Sequence, residues 1–292
     1  MRLITGGTGF IGSNLNGDLK ISRIDCDLMS KSDVEKFLLQ EPITQIIHCA
    51  AKHGSYSQMR SNHTEYLYNN LLIDSNLIQA AANLKISNLI AVSSVSTLGE
   101  NARKLLDESD LERTNYSQAN FGYNASKRIS IDLCKAVNLD FGFNYKSVLL
   151  GNIYGPNDHF HHSGTVVASI ITQMIRAQNE KTDLVLFGTG KDKRTFTYVE
   201  DLNPALNFLM KSDVTTPVIV SSSHTSTISD LAEIIRDILE FRGKIIFSDA
   251  RSTQASIKLT SNKMLQTMGY LGDWTSLQDG IEKTVQWALK NA

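Results

Sequence analysis

Glycines at positions 6, 9 and 12, within Thr5-Gly-Gly-Thr-Gly-Phe-Ile-Gly12, constrain this chain more than any other feature. They follow directly on an apolar run, Met1–Ile4, and precede residues that can open a helix. In a strand–turn–helix unit the first glycine allows the tight turn, and the second lets the backbone approach a pyrophosphate. The third permits close packing of helix on strand, and the helix N-terminus presents oriented N–H groups to phosphate oxygens. A glycine triplet alone is a weak signal. Starting at residue 6, straight after a hydrophobic strand, it predicts a dinucleotide-binding parallel sheet. Gly6, Thr8, Gly9, Phe10, Ile11 and Gly12 are the residues expected to meet the cofactor.

The rest of the first half fits that expectation, because short apolar runs alternate with amphipathic stretches. Strands are expected at Met1–Ile4, Leu19–Ile24, Gln45–Cys49, Leu89–Val92 and Ser147–Leu150. Helices are expected at Asp33–Gln40, Asn69–Leu84 and Tyr123–Val137, and the helix after the glycines must be brief because Asn16-Gly17-Asp18 stops it. Beyond Asn152 the alternation loosens into helices at Val166–Ala177, Ile228–Phe241 and Leu277–Leu289 with short strands at Leu184–Phe187, Val218–Val220 and Lys244–Phe247. A length of 292 residues suits one large domain with a smaller companion. The predicted fold is therefore α/β: a doubly wound parallel sheet over residues 1–150 and a smaller mixed α/β substrate domain over 151–292, with some later segments returning to the first.

A formal net charge of −1 leaves no electrostatic footprint for nucleic acid or an anionic membrane surface. An acidic nucleotide would have to be held by local groups. Cys26, Cys49 and Cys134 lack metal-ligand spacing and read as reduced thiols, so no metal site is expected. The chain opens on MRLITGG without a leader pattern, and no apolar run approaches the ~18 residues of a membrane span. A soluble, cytoplasmic protein is expected.

Tyr123-Asn-Ala-Ser-Lys127 sets a phenol and an ammonium four residues apart, on one helix face. A phenol of pKa about 10 is a poor acid–base catalyst near neutrality, and the adjacent Lys127 together with the cationic nicotinamide ring is expected to bring it toward the working range. Tyr123 can then protonate a carbonyl oxygen as hydride reaches its carbon, or run the reverse. The pattern alone occurs by chance, but here it follows a serine-rich strand end, Ser93–Ser96, from which Ser94 can donate to the same oxygen. At the end of the second strand two readings stay open. Arg23 can pair with a 2′-phosphate, whereas Asp25 can accept from a 2′-hydroxyl. The balance leans to NADP(H) over NAD(H).

The glycine spacing, Tyr123 to Lys127, His48-Cys-Ala-Ala-Lys52 with Gly54, and Tyr68-Asn-Asn70 with Asp74-Ser-Asn76 together carry a family likeness. Tyr145-Lys-Ser-Val148, Asn152-Ile-Tyr-Gly-Pro156-Asn-Asp158, Phe187-Gly-Thr-Gly190 with Arg194, Lys258 and Trp287 extend it over nearly the whole chain. The sequence resembles the extended short-chain dehydrogenase/reductases of nucleotide-sugar metabolism, and within them the GDP-L-fucose synthase (3,5-epimerase/4-reductase) branch. The resemblance implies a Rossmann-type sheet, a nucleotide-sugar substrate and a homodimer formed through a four-helix bundle, here Asn69–Leu84 with Tyr123–Val137. It also implies that Asp27, Leu28, Ala50, Ala51, Lys52, Asn70 and Ile153 contact the cofactor. Asn152, Arg194 and Lys258 would contact the substrate.

Two positions depart from that branch. Its epimerisation steps use a cysteine and a histidine, which align with Ser96 and Val166. A serine hydroxyl is a far weaker acid–base group than a thiol, and valine exchanges no proton. His159, His161 and His162 lie a few residues upstream as candidate substitutes. The leading expectation is an NAD(P)H-dependent reductase acting at C4 of a nucleotide-linked 4-keto sugar, with GDP the favoured nucleotide. The alternatives are a nucleotide-sugar 4-epimerase with retained NAD⁺ and, from another class, a non-catalytic dinucleotide-binding protein.

Overall fold

The computed structural model describes residues 1–54, 56–99, 105–112, 118–160, 164–248 and 257–291. Its first half runs β1 (Arg2–Thr5), α1 (Phe10–Asn14), β2 (Leu19–Ile21), α2 (Lys31–Gln40), β3 (Gln45–His48), α3 (Tyr56–Ser61), α4 (His63–Asn83), β4 (Asn88–Ser94), β5 (Leu105–Leu106), α5 (Phe121–Phe141) and β6 (Asn144–Leu150). The second half continues β7 (Asn152–Tyr154), α6 (Val166–Glu180), β8 (Leu184–Phe187), β9 (Lys193–Tyr198), α7 (Leu202–Lys211), β10 (Val218–Val220) and β11 (Thr225–Thr227). It closes with α8 (Ile228–Leu239), β12 (Ile245–Ser248), β13 (Ile257–Thr260), α9 (Lys263–Thr267) and α10 (Leu277–Asn291).

Six strands form one parallel sheet in the order β10-β6-β4-β3-β1-β2. Such a sheet is covered on both faces, and so its strands read as continuous apolar runs. Successive side chains along a strand point to opposite faces. Leu3, Ile46 and Leu89 accordingly enter a core with α2 and α4, while Ile4, Ile47 and Ile90 enter another with α7. The order reverses between β1 and β3, and the crevice beyond the carboxyl ends of these two strands is where a parallel sheet of this kind receives its ligand. The later strand β10 and helix α7 belong to this layer although they follow residue 150.

The remaining elements gather round β9, which pairs with β7 and β13 in parallel and with β11 antiparallel; β8 and β12 form a separate two-stranded ribbon. Their core joins α6, α8 and α10 through Ile171, Met174, Ile235 and Val285.

The structure differs from the sequence expectation at Leu19–Ile24, where the strand stops at Ile21. The Asp25 carboxylate accepts from both the backbone N–H and the hydroxyl of Ser22, each at 2.8 Å, and this closes a turn that leaves Ile24 almost fully exposed. Strand β9 has no counterpart in the sequence reading, because its charged start, Lys193-Arg194, hides the buried run Thr195–Tyr198. Among the described residues no helix is long and apolar enough to cross a membrane.

Candidate active site

The glycine turn has the geometry its spacing predicts. Gly6 adopts φ +68°, and a Cβ there would lie 2.8 Å from the Ala50 nitrogen at the end of β3. A Cβ on Gly12 would lie 2.2 Å from the Gly6 carbonyl oxygen, so the first turn of α1 can seat only on glycine. These close approaches leave a crevice of about 400 Å³ lined by Gly6, Thr8, Gly9, Arg23, Asp27, Leu28 and the loop Cys49–Lys52. Phe10 and Ile11 turn partly into the core beneath.

At the second-strand end the two ribose readings separate. Asp25 is committed to Ser22 and does not line the crevice, whereas Arg23 does, with its side chain exposed and 3.5 Å from Asp27. Asn70 and Ile153, expected at the cofactor, sit behind the wall. The Asn70 amide clamps the loop by accepting from the Lys52 N–H at 2.6 Å and donating to the Lys52 carbonyl at 3.0 Å. Ile153, the middle residue of β7, is buried in the core that includes α7. The Lys52 ammonium pairs with Glu65 and lies over the Tyr66 ring.

Deeper in, four side chains and one backbone group form a continuous buried chain. The Ala50 N–H donates to Thr5 Oγ1 at 3.3 Å, and Thr5 Oγ1 lies 2.6 Å from His48 Nδ1. His48 Nε2 is 2.9 Å from Asp74 Oδ1, and the Lys127 ammonium sits 3.3 and 3.2 Å from the two Asp74 oxygens. Thr5, His48, Asp74 and Lys127 are all at most 2% exposed. An ionised carboxylate can only accept, so His48 donates to it through Nε2; with a neutral ring, Nδ1 then accepts from the Thr5 hydroxyl. One proton arrangement therefore satisfies every member.

Burial works against the Lys127 ammonium, but Asp74 outweighs it and holds the lysine pKa above its ordinary value. Burial likewise opposes the Asp74 carboxylate, and Lys127 and His48 hold that group below its ordinary value. Tyr123 stands one turn before Lys127. Its phenol is raised, not lowered: burial pushes it up, Lys127 pulls it down, and Asp74 adds to the rise. Burial outweighs the lysine charge here, and the cationic nicotinamide ring, the other half of the expected lowering, belongs to the cofactor-bound state. The phenol stays protonated, as a proton donor to a carbonyl oxygen requires.

Ser94 ends β4, and its Oγ accepts from the Ser96 N–H at 3.2 Å. Ser96 Oγ lies 2.9 Å from Ser94 Oγ and 2.7 Å from the side-chain oxygen of the fully buried Asn124. Ser93 is buried and faces away from this group.

In the second sheet, β9 and β13 bring together two cations far apart in sequence. Arg194 and Lys258 are register partners on neighbouring parallel strands and so share one face. The Arg194 guanidinium is 20% exposed, donates to the Lys193 carbonyl at 2.9 Å and lies 3.5 Å from Asp192. Asn152 stands beside this strand and donates to the Thr195 carbonyl at 2.9 Å. Val166 opens α6 and packs partly against the second core. His161 and His162 lie outside the described residues, and among the described residues no cluster with metal-ligating character occurs.

Three residues near the reacting groups carry no role in the sequence reading. Asp74 and its partner His48 are the first two; the signal was a lone acid in register with Asn70 and Ile78 on the inward face of α4. His53 is the third, its ring edge-on to Tyr123 with centroids 5.4 Å apart. Burial, with His159 and Lys127 nearby, pushes its pKa down, so the imidazole is neutral near pH 7.

The sequence profile described as the NAD dependent epimerase/dehydratase family matches residues 2–220. The GDP-L-fucose synthase of Escherichia coli is 28% identical over 99% of this chain and 96% of its own length. GDP-L-fucose synthase 1 of Arabidopsis thaliana is 30% identical over 91% of this chain and 83% of its own length. Among solved structures, a GDP-L-fucose synthetase from Naegleria fowleri bound to NADP superposes with a TM-score of 0.92 at 23% identity, covering 99% of this chain and 92% of the other. With the profile spanning most of the chain and the relatives nearly all of it, this protein belongs to the NAD dependent epimerase/dehydratase family.

Proposed function

We propose that the protein is an NADP(H)-dependent reductase acting at C4 of a GDP-linked 4-keto sugar. The observation that carries this reading is an asymmetry in the site. The proton donor and its cation are assembled, Tyr123 protonated and Lys127 locked on Asp74. The two positions that would abstract protons at neighbouring carbons are Ser96, hydrogen-bonded inward to Asn124, and Val166, packed on a core. The first group suffices for carbonyl reduction; nothing at the second can form the carbanion that epimerisation at C3 or C5 needs.

The crevice suits a phosphorylated dinucleotide. The start of α1 borders the crevice at Gly9, where its N-terminal end would meet the phosphates, and exposed Arg23 would support a 2′-phosphate by a charge-assisted contact. NADPH, when bound, supplies the hydride. Ser94 donates to the C4 oxygen and polarises the carbonyl, and Tyr123 transfers its proton to that oxygen as it becomes an alkoxide. Lys127 stabilises the phenolate left behind and, with its three donors, can also orient the ribose. Arg194 and Lys258 grip the sugar diphosphate, the planar fork pairing with two phosphate oxygens and the ammonium adding a point charge.

Incubating purified protein with NADPH and GDP-4-keto-6-deoxymannose tests the reading. NADPH consumption in step with appearance of a C4 alcohol is expected. NAD⁺ retained through purification, with interconversion of C4 epimers and no net consumption of NADPH, would make the protein a 4-epimerase instead.

A further inference from the structure

We propose that Asn124 is a positioning residue that, through Ser96, turns the hydroxyl proton of Ser94 outward to the carbonyl oxygen of the substrate. The proposal rests on the reductase reading above and follows from counting protons.

A serine hydroxyl has one proton to give and two lone pairs to receive. Ser96 Oγ stands within hydrogen-bond distance of two oxygens, Ser94 Oγ at 2.9 Å and the Asn124 amide oxygen at 2.7 Å. It cannot donate to both. Ser94 Oγ also accepts from the Ser96 backbone N–H. Two arrangements satisfy these contacts, and they differ in what Ser94 has left to offer.

In the first, Ser96 donates to Asn124, and Ser94 must then donate to Ser96. The Ser94 proton is spent inside the protein. The Asn124 amide nitrogen, buried with its residue 0% exposed, keeps both protons without an acceptor. In the second, the amide is turned by half a revolution, which exchanges oxygen and nitrogen in nearly the same volume. Its N–H now donates to Ser96, Ser96 donates to Ser94, and one buried amide proton gains an acceptor. Ser94 then receives from the Ser96 hydroxyl and from the Ser96 N–H, so its lone pairs are occupied. Its own proton can only point away from both, off the end of β4. The rotation exchanges a bare amide N–H for a bare amide oxygen at an equal number of hydrogen bonds, and an orphaned buried N–H is the rarer and costlier of the two.

An amide does this at every pH, since it neither ionises nor reverses. Replacing it by a carboxylate reverses the wiring: the anion accepts only, Ser96 must donate to it, and Ser94 must donate inward. A protonated carboxyl can still donate to Ser96 and restore the outward direction. Asn124→Asp is therefore a pH-switched version of the same site, nearly equal in size.

The experiment measures NADPH-dependent reduction of the 4-keto sugar nucleotide against pH for the wild type, N124D, S94A and the N124D/S94A pair. For N124D, kcat is expected near the wild-type value while the introduced carboxyl is protonated, and at least tenfold lower once it ionises, with KM little changed. The wild type should show no such limb, and neither should the double variant, whose kcat should match S94A alone. An N124D profile that parallels the wild type would overturn the proposal, as would a limb that persists without Ser94. Neutron diffraction from deuterium-exchanged crystals reads the wiring without activity. The Asn124 nitrogen facing Ser96, with the Ser94 deuteron turned outward, supports it; a Ser94 deuteron lying on Ser96 Oγ contradicts it. If the wild type reduces no keto sugar but the deuterons lie as expected, the reductase reading fails and the wiring stands.

Discussion

The two ends of the site are built on different principles. Thr5, His48, Asp74 and Lys127 are buried, and their donors and acceptors match in a single arrangement that ties the phosphate-loop strand to the catalytic helix. Arg194 and Lys258 stand on the surface of a small sheet, held by strand register and by contacts to a neighbouring carbonyl and carboxylate. The first end admits little variation, because a buried charge that loses its partner is heavily penalised. The second can be altered at lower cost, since Lys258 is exposed and the partly buried Arg194 still reaches water. On the proposed reading, the reaction type belongs to the rigid end, and the hold on the substrate diphosphate belongs to the open one.

Variants that break each end should differ accordingly. Tyr123→Phe removes the proton donor and should lower kcat by roughly 10²- to 10⁴-fold while leaving NADPH affinity within about twofold, measurable by stopped-flow reduction and by fluorescence titration. Equal rates in the variant would move the proton donor elsewhere, with His53, whose ring meets that of Tyr123 edge-on, as a candidate. Asp74→Asn strands the Lys127 ammonium, and urea unfolding at neutral pH should show a loss of about 3–5 kcal/mol. A loss below ~1 kcal/mol would mean that the buried chain contributes nothing to holding the lysine. Arg194→Ala, at the open end, should raise the KM for the sugar nucleotide about tenfold through loss of a charged hydrogen bond, with kcat and stability nearly unchanged.

The pH profile compares the two ends without mutation. The Tyr123 pKa is raised, and reduction uses the protonated phenol, so activity persists as pH rises and is lost only once the folded-state value is passed. That alkaline limb should lie above about 10, the ordinary tyrosine value. A limb near neutrality would mean that the Lys127 charge outweighs the burial of Tyr123.

What the sequence discloses follows the same division. Gly6, Gly9 and Gly12, and the four-residue step from Tyr123 to Lys127, are local patterns and were legible in one dimension. The contact of Lys127 with Asp74 joins two helices far apart in the chain, and no spacing rule reports it. The burial of Tyr123, and with it the direction of its shift, is visible only in three dimensions. Arg194 and Lys258 were each legible singly from the resemblance. Their side-by-side placement depends on the pairing of β9 with β13, and β9 itself was missed because two cations open it.

Hydride transfer without epimerisation is the central claim, and isotope exchange tests it most directly. The protein is incubated with GDP-4-keto-6-deoxymannose in D₂O without cofactor, and C3 and C5 are followed by NMR. Retention of hydrogen at both carbons, followed on addition of NADPH by reduction at C4 alone, is the predicted result. Deuterium entering at C3 or C5 faster than in a protein-free control would contradict it.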